Sequence, residues 1–112
     1  MTITKVNKSQ VQDLLNENKS NFVVLDVRSR PELNDLKPLP HANNVPVDEV
    51  AAAFEMSNDD FQQKYHFGKP EKNSTILVYC KMGMRAQNAG ETLQKLGYDN
   101  ILCYSGVADW YQ

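Results

Sequence analysis

Two cysteines and the lack of a long hydrophobic run set the first limits on this chain. Cys80 and Cys103 are the only cysteines among 112 residues, and they form neither a Cys-x-x-Cys pair nor a metal-binding spacing. A small disulfide framework is therefore excluded, and free thiols are typical of a reducing compartment. No apolar stretch approaches the roughly 20 residues that a membrane-spanning helix needs.

The beginning of the chain carries no recognisable export signal. Residues 1–8 lack both the apolar core of a secretory signal and the arginine-rich pattern of a transit peptide. We therefore expect a cytoplasmic protein without a membrane anchor, and the sequence leaves a mitochondrial location open.

Charge and composition are those of an ordinary globular domain. The formal net charge is −2, with 41% hydrophobic and 23% charged residues. Such a chain lacks the basic surface that attracts nucleic acids or anionic membranes. The length suits one domain over residues 1–112 with one core, and we expect this domain to be a monomer.

Short strands alternate with helices along the chain, which predicts an α/β fold. Apolar, β-branched runs predict strands at residues 2–6, 22–25, 43–47, 76–79 and 100–104. Helices are predicted to start near Ser9, Ser29, Asp48, Ser57, Met84 and Gly106. This alternation predicts a mostly parallel sheet with helices on both faces, which binds its ligand at the carboxyl ends of the strands.

Residues 75–97 carry the strongest chemical signal. A buried strand ends at Cys80, a short loop with Gly83 in its middle follows, and an amphipathic helix begins near Met84. The first N–H groups of a helix have no partner inside the helix, so they favour a negative charge in front of them. This position favours the thiolate form of a cysteine, and Cys80 is therefore the predicted nucleophile. Gly83 is expected to supply the positive φ of a tight turn.

The whole loop after Cys80, residues 81–85, is predicted to bind the substrate. Lys81 and Arg85 place two cations near the sulfur, which indicates an anionic substrate. The sequence leaves open whether Lys81 only faces solvent. Met82 and Met84 are expected to form an apolar lip around the sulfur, and Gly83 to let a ligand approach the backbone.

Several other polar or sulfur-containing residues are predicted to have structural roles. Asp26 and Arg28 end a buried strand and are expected to support the site by pairing with each other or with loop backbone groups. Glu32 is expected to be solvated or to fix a loop, and Cys103 to be a small buried apolar residue. No pattern of ligand residues indicates a metal site.

Four motifs, in order, resemble those of the rhodanese sulfurtransferase family. Residues 24–32 resemble its L-D-V-R-x-x-x-E signature, 40–46 its P-G-A-x-N-x-P turn, 80–85 its active-site loop and 105–110 its closing G-G-x-x-x-W. Ser105 stands where the first of the two closing glycines is common. The likeness spans nearly the whole chain and implies the rhodanese-like three-layer fold, with a central five-stranded sheet.

The resemblance also implies a reaction. Cys80 would take a sulfane sulfur from thiosulfate or a persulfide donor, hold it as a persulfide, and pass it to glutathione, thioredoxin or cyanide. It implies no metal and no organic cofactor, and a supporting role for Asp26 and Arg28.

Two other functions stay open at this point. A phosphatase or arsenate reductase of the Cdc25-like branch also uses a loop cysteine and arginine. Its loop is one residue longer than the one between Cys80 and Arg85, and the shorter loop favours a sulfur atom over a phosphate. A rhodanese-like module that only binds partners usually lacks the cysteine, which is present here.

Overall fold

A sheet of five strands forms the middle layer of the protein. The computed structural model describes residues 3–17 and 19–112. The strands are β1 (Thr4–Lys5), β2 (Phe22–Asp26), β3 (Ala42–Asn44), β4 (Thr75–Cys80) and β5 (Asn100–Gly106). They lie in the order β1-β5-β4-β2-β3, and every pairing among the described residues is parallel. The predicted α/β class and five-stranded sheet are therefore confirmed.

Helices connect the strands and cover the two faces of the sheet. The α-helices are α1 (Lys8–Glu17), α2 (Val50–Ala53), α3 (Asn58–Tyr65), α4 (Met84–Lys95) and α5 (Val107–Trp110). Short 3₁₀ helices span Pro31–Asn34 and Val47–Glu49.

Two predicted helix starts differ from the structure. The Asn7 Oδ1 accepts a hydrogen bond from the Gln10 N–H at 2.9 Å, and the Gln10 Oε1 accepts one from the Asn7 N–H at 2.8 Å. This capping box starts α1 at Lys8, so the prediction of a start at Ser9 was wrong. The helix predicted at Asp48 is a 3₁₀ turn that continues into α2, and neither helix has a side-chain cap.

The ends of some strands and helices also differ from the predicted ends. β3 is shorter than predicted, and β5 runs on to Gly106. The predicted first strand began at Thr2, which lies outside the described residues. α3 begins as predicted, because the Ser57 Oγ accepts a hydrogen bond from the Asp60 N–H at 3.2 Å.

The residues of β4 pack alternately into two cores, one on each face of the sheet. Ile76, Val78 and Cys80 belong to the core that includes residues of α2, α3 and α4. Leu77 and Tyr79 belong to the core that includes residues of α1 and α5. Burial on both faces explains the continuous apolar run of this central strand. Cys80 thus ends its strand on the face that α4 covers.

Candidate active site

The loop from Cys80 to α4 is a tight turn built on one glycine. Cys80 is the last residue of β4, and α4 begins at Met84. Gly83 has a φ of 116°, in the left-handed region that glycine adopts without steric strain. The predicted positive φ at Gly83 is therefore confirmed.

Two backbone N–H groups donate hydrogen bonds to the Cys80 sulfur. The Gly83 nitrogen lies 3.0 Å from the Cys80 Sγ, and the Ala86 nitrogen lies 3.4 Å from it. We call these groups the amide pair. The Ala86 N–H belongs to the first turn of α4 and has no partner inside the helix. Both donors stabilise negative charge on the sulfur through their hydrogen bonds and dipoles.

The sulfur lies below the surface of the loop. Cys80 as a whole is 1% exposed. The Ser105 carbonyl oxygen, at 3.8 Å from the Sγ, is placed to accept the proton of the neutral thiol. A substrate must therefore enter the loop to reach the sulfur.

β5 approaches Cys80 so closely that only glycine fits opposite it. Gly106 pairs with Cys80 at an irregular step in the register between β4 and β5. A Cβ on Gly106 would lie 1.7 Å from the Cys80 carbonyl oxygen, and the φ of Gly106 is 129°. Sequence reasoning missed this requirement. The position of Gly106 in the motif that resembles G-G-x-x-x-W could have indicated that a glycine is needed here.

Arg85 is bound by Glu32 on the β2 side of the loop. Its NH1 and NH2 atoms donate to the Glu32 carboxylate at 2.6 and 2.9 Å. The Ser29 N–H and hydroxyl donate to the same carboxylate at 3.1 and 2.8 Å. The hydrogen bonds from Arg85 are the main reason that the pKa of Glu32 falls to about 2. The predicted substrate-binding cation thus has a protein carboxylate beside it, which sequence reasoning did not foresee.

A buried ion pair lies behind the loop. The Arg28 NH2 is 2.8 Å from the Asp26 Oδ2, and both side chains are at most 1% exposed. The Tyr79 hydroxyl donates to the same oxygen at 2.7 Å, and burial is the main reason that the pKa of Tyr79 is raised. The Arg28 NH1 donates to the Glu32 and Leu36 carbonyls at 3.2 and 2.9 Å. The pair therefore holds the 3₁₀ segment that carries Glu32.

The remaining loop side chains lie at the surface. Met82 is 77% exposed and Met84 is 80% exposed, and Lys81 is exposed as well. Within residues 3–17 and 19–112, Lys81 forms no ion pair. The two methionines form an apolar rim beside the loop with little packing against the protein, and their predicted role as a lip around the sulfur stays a prediction.

A cavity of about 650 Å³ opens on the β5 side of the loop. Gly83 and Ser105, which contact the Cys80 sulfur, belong to its wall, and so do Met82 and Met84. The sheet order places β5 and β2 on opposite sides of β4. The cavity and the Glu32–Arg85 pair therefore lie on opposite flanks of the loop.

Cys103 also lines this cavity and is 6% exposed. Burial raises the pKa of its thiol, and the nearby Cys80 raises it further. Both effects favour the neutral thiol, which is a weak nucleophile. The predicted burial of Cys103 is confirmed.

The described part of the chain contains no group of three or more His, Cys, Asp and Glu residues that could hold a metal ion. Among those same residues, no helix is both long and apolar enough to cross a membrane.

The sequence profile of the rhodanese-like domain matches residues 7–112. The chain belongs to the rhodanese-like family.

Three of the similar proteins match most of this chain. The rhodanese domain-containing protein CG4456 of Drosophila melanogaster is 34% identical over 104 residues, covering 92% of this chain and 92% of the fly protein. The human thiosulfate:glutathione sulfurtransferase is 35% identical over 91 residues, covering 80% of this chain and 78% of its own. The solved structure of the human single-domain sulfurtransferase TSTD1 superimposes with a TM-score of 0.87 at 29% identity, covering 98% of this chain and 96% of that one.

The structure brings some of the predicted site residues together and leaves others at the surface. This rhodanese-like chain brings Cys80, Gly83 and the Arg85 backbone into one turn, with Asp26 and Arg28 behind it. It leaves Lys81 and the two methionines of the rim exposed. The roles of these residues in catalysis and substrate binding stay predictions.

Proposed function

We propose that the protein is a sulfurtransferase that carries a sulfane sulfur on Cys80. The amide pair, at 3.0 and 3.4 Å from the Cys80 sulfur, is the observation that supports this proposal most directly. Donors fixed by the backbone stabilise negative charge without rearranging during the reaction. Membership of the rhodanese-like family and the names of its sulfurtransferase relatives support the same class of reaction.

In the donor half-reaction, the Cys80 thiolate attacks the outer sulfur of thiosulfate or of a persulfide donor. A bond forms between the Cys80 Sγ and that sulfur, and the S–S bond of the donor breaks. With thiosulfate, sulfite leaves with the electron pair. The amide pair stabilises the thiolate before the attack, and the Arg85 N–H groups that Glu32 does not bind can donate hydrogen bonds to the anion at the β2 side of the loop.

In the acceptor half-reaction, a thiolate or cyanide attacks the outer sulfur of the Cys80 persulfide. Cys80 then leaves as a thiolate, which the amide pair receives. Glutathione, thioredoxin and cyanide are the proposed acceptors, and thiosulfate and glutathione both appear in the name of a human relative. The scheme needs no metal and no organic cofactor.

The site of action and the oligomeric state stay predictions. The sequence predicts a cytoplasmic monomer. The names of relatives from Schizosaccharomyces pombe and Saccharomyces cerevisiae place those proteins in mitochondria.

Intact mass spectrometry after treatment with thiosulfate tests the proposed reaction. We expect the protein to gain the mass of one sulfur atom on Cys80 and to lose it when glutathione or cyanide is added. The Cys80→Ser variant should gain nothing, because a hydroxyl cannot form the persulfide. The Cys103→Ser variant, which changes the other cysteine, should behave like the parent.

Three outcomes would contradict the proposal. Sulfur found on Cys103 would move the nucleophile to the other thiol. Hydrolysis of p-nitrophenyl phosphate without sulfur uptake would indicate a phosphatase. A parent protein with neither activity would favour a module that only binds partners.

A further inference from the structure

The cavity on the β5 side of the loop takes no part in the proposed donor half-reaction. Its volume of about 650 Å³ lies within the range of pockets that hold small organic ligands. Its walls include residues at the carboxyl ends of β1 and β5, the edge where parallel sheets bind ligands. Two residues in the cavity wall, Gly83 and Ser105, also contact the Cys80 sulfur. The cavity therefore lies beside the loop that holds the Cys80 sulfur.

The two flanks of the loop differ in whether their cation is held in an ion pair. On the β2 side, Glu32 neutralises Arg85. On the β5 side, the cavity wall carries Lys5, which forms no ion pair among residues 3–17 and 19–112. The carboxylate in the wall, Asp109, accepts a hydrogen bond from the Tyr104 hydroxyl at 2.6 Å. Lys5 is thus a cation available to an anionic group of a ligand.

The chemistry of the remaining wall suits a small peptide. Gln87 and Asn88 supply amide side chains, which match the polar groups of a peptide backbone, and Asn7, whose Oδ1 caps α1, contributes its Nδ2 group. Met82 and Met84 supply an adaptable apolar surface next to the loop, where a thiol-bearing methylene group would lie.

We propose that this cavity binds the sulfur acceptor, a small peptide thiol that carries a carboxylate. Lys5 holds the carboxylate, the amide side chains bind the peptide groups, and the methionine rim packs against the carbon that carries the thiol. The donor and the acceptor then approach Cys80 from different flanks of the loop. This inference rests on the proposed function, because it needs a persulfide on Cys80.

The transfer step is balanced without an added oxidant or reductant. The acceptor thiolate forms a bond to the outer sulfur, and the S–S bond of the Cys80 persulfide breaks. The electron pair of that bond stays on the Cys80 sulfur, where the amide pair stabilises it. The products are an acceptor persulfide and the free Cys80 thiolate, and the proton of the acceptor thiol goes to solvent.

The first test compares glutathione with its diethyl ester, whose carboxylates are blocked, in steady-state assays with thiosulfate as donor. In a ping-pong scheme, kcat/KM for each substrate depends only on its own half-reaction. The Lys5→Gln change should lower kcat/KM for glutathione about fivefold, the upper end of what an exposed ion pair contributes. It should leave kcat/KM for the ester and for thiosulfate within about twofold. Lys95→Gln, at the far end of α4 and outside the cavity wall, is the matched control.

The second test fills the cavity. Asn88 is an exposed position in its wall, so a tryptophan there should be tolerated by the fold. We expect Asn88→Trp to lower kcat/KM for glutathione about tenfold or more, the loss expected when a bulky side chain excludes a ligand. Cyanide is too small to need the cavity, so turnover with cyanide should change less than about twofold.

The outcomes separate this inference from the proposed function. Glutathione kinetics that are unchanged in both variants would overturn the inference, and so would equal losses with glutathione and cyanide. Failure of the parent to take up sulfur from thiosulfate would overturn the proposed function and this inference together. Sulfur uptake like the parent's with selective loss of glutathione turnover would support both.

Discussion

Glu32 sets the charge that the loop presents to a donor. Its carboxylate binds two of the guanidinium N–H groups of Arg85 and is itself fixed by Ser29. The pair as a whole carries no net charge, so it attracts an anion less than an isolated arginine does. A guanidinium has five N–H donors, so Arg85 keeps donors for a substrate.

Replacing Glu32 with glutamine should therefore improve binding of the anionic donor. The amide keeps a hydrogen-bond acceptor for Arg85 but removes the opposing charge. We expect Glu32→Gln to lower the KM for thiosulfate about two- to fivefold, the range for a partly exposed charge, with little change in kcat. Steady-state kinetics with cyanide as acceptor would measure this. An increase in KM would show instead that binding needs the ion pair itself to orient Arg85.

At the scale of single residues, the local sequence predicted the nucleophile and the glycine of the turn, but it did not predict the ion pair between Glu32 and Arg85. Cys80 and Gly83 were identified because a strand end, a glycine and a helix start lie next to each other in the chain. Glu32 and Arg85 are 53 residues apart, so no local pattern could show that they meet. Asp26 and Arg28 are only two residues apart, so the local sequence could indicate that they pair.

At the scale of elements, the contact between the ends of β4 and β5 positions the active-site loop. Gly106 pairs with Cys80, and the Ser105 carbonyl that precedes it contacts the sulfur. Any side chain at Gly106 would push the two strand ends apart.

We expect Gly106→Ala to lower the free energy of unfolding by about 3 kcal/mol or more, because it combines backbone strain with a steric clash. The loss of sulfur uptake should exceed what the unfolded fraction explains, since the clash is with the Cys80 carbonyl oxygen itself. Urea unfolding followed by circular dichroism would measure the first effect. Gly68→Ala is the control, since a Cβ there meets nothing within 4 Å and stability should hardly change.

The ends of elements were harder to predict than their existence. The sequence predicts that β5 ends at Tyr104, because a helix is expected to start at Gly106. The strand continues because Gly106 finds a pairing partner in Cys80, which is a tertiary contact. The start of α1 was misplaced for a more local reason. Asn7 and Gln10 form a capping box in which asparagine replaces the usual serine or threonine.

At the scale of the whole molecule, two carboxylates link stability to pH. Glu32 is bound by Arg85, and Glu49 is bound by Arg30 with a further hydrogen bond from Tyr65. Hydrogen bonds from these arginines are the main reason that both pKa values fall from 4.5 to about 2. Between pH 4.5 and 2, the unfolded chain therefore binds protons that the folded protein does not.

The stabilising contribution of these pairs should thus be complete above pH 4.5 and disappear as the pH falls towards 2. We expect the Glu32→Gln/Glu49→Gln double variant to be less stable than the parent at pH 7 and to approach it in stability at pH 3. Chemical denaturation across this pH range would measure the difference. A difference that stays constant with pH would mean that the carboxylate charges do not contribute to stability.

The architecture was the most predictable property. Alternation of strands and helices gave a parallel sheet with its site at one edge, and the buried run at β4 marked the central strand. Periodicity says which face of an element is buried, but it does not say which strands are neighbours. The strand order, and with it the separation of the cavity from the Glu32–Arg85 flank, therefore became visible only in three dimensions.

The amide pair belongs to the main chain, and this has a consequence for how such proteins diverge. Every amino acid except proline supplies the same N–H group. A substitution at Ala86 therefore changes the volume of the side chain beside the sulfur but keeps the hydrogen-bond donor. Gly83 has the same donor and is restricted only by its φ of 116°. Relatives that share about a third of their residues could thus inherit one electrostatic environment for sulfur while their surfaces change freely.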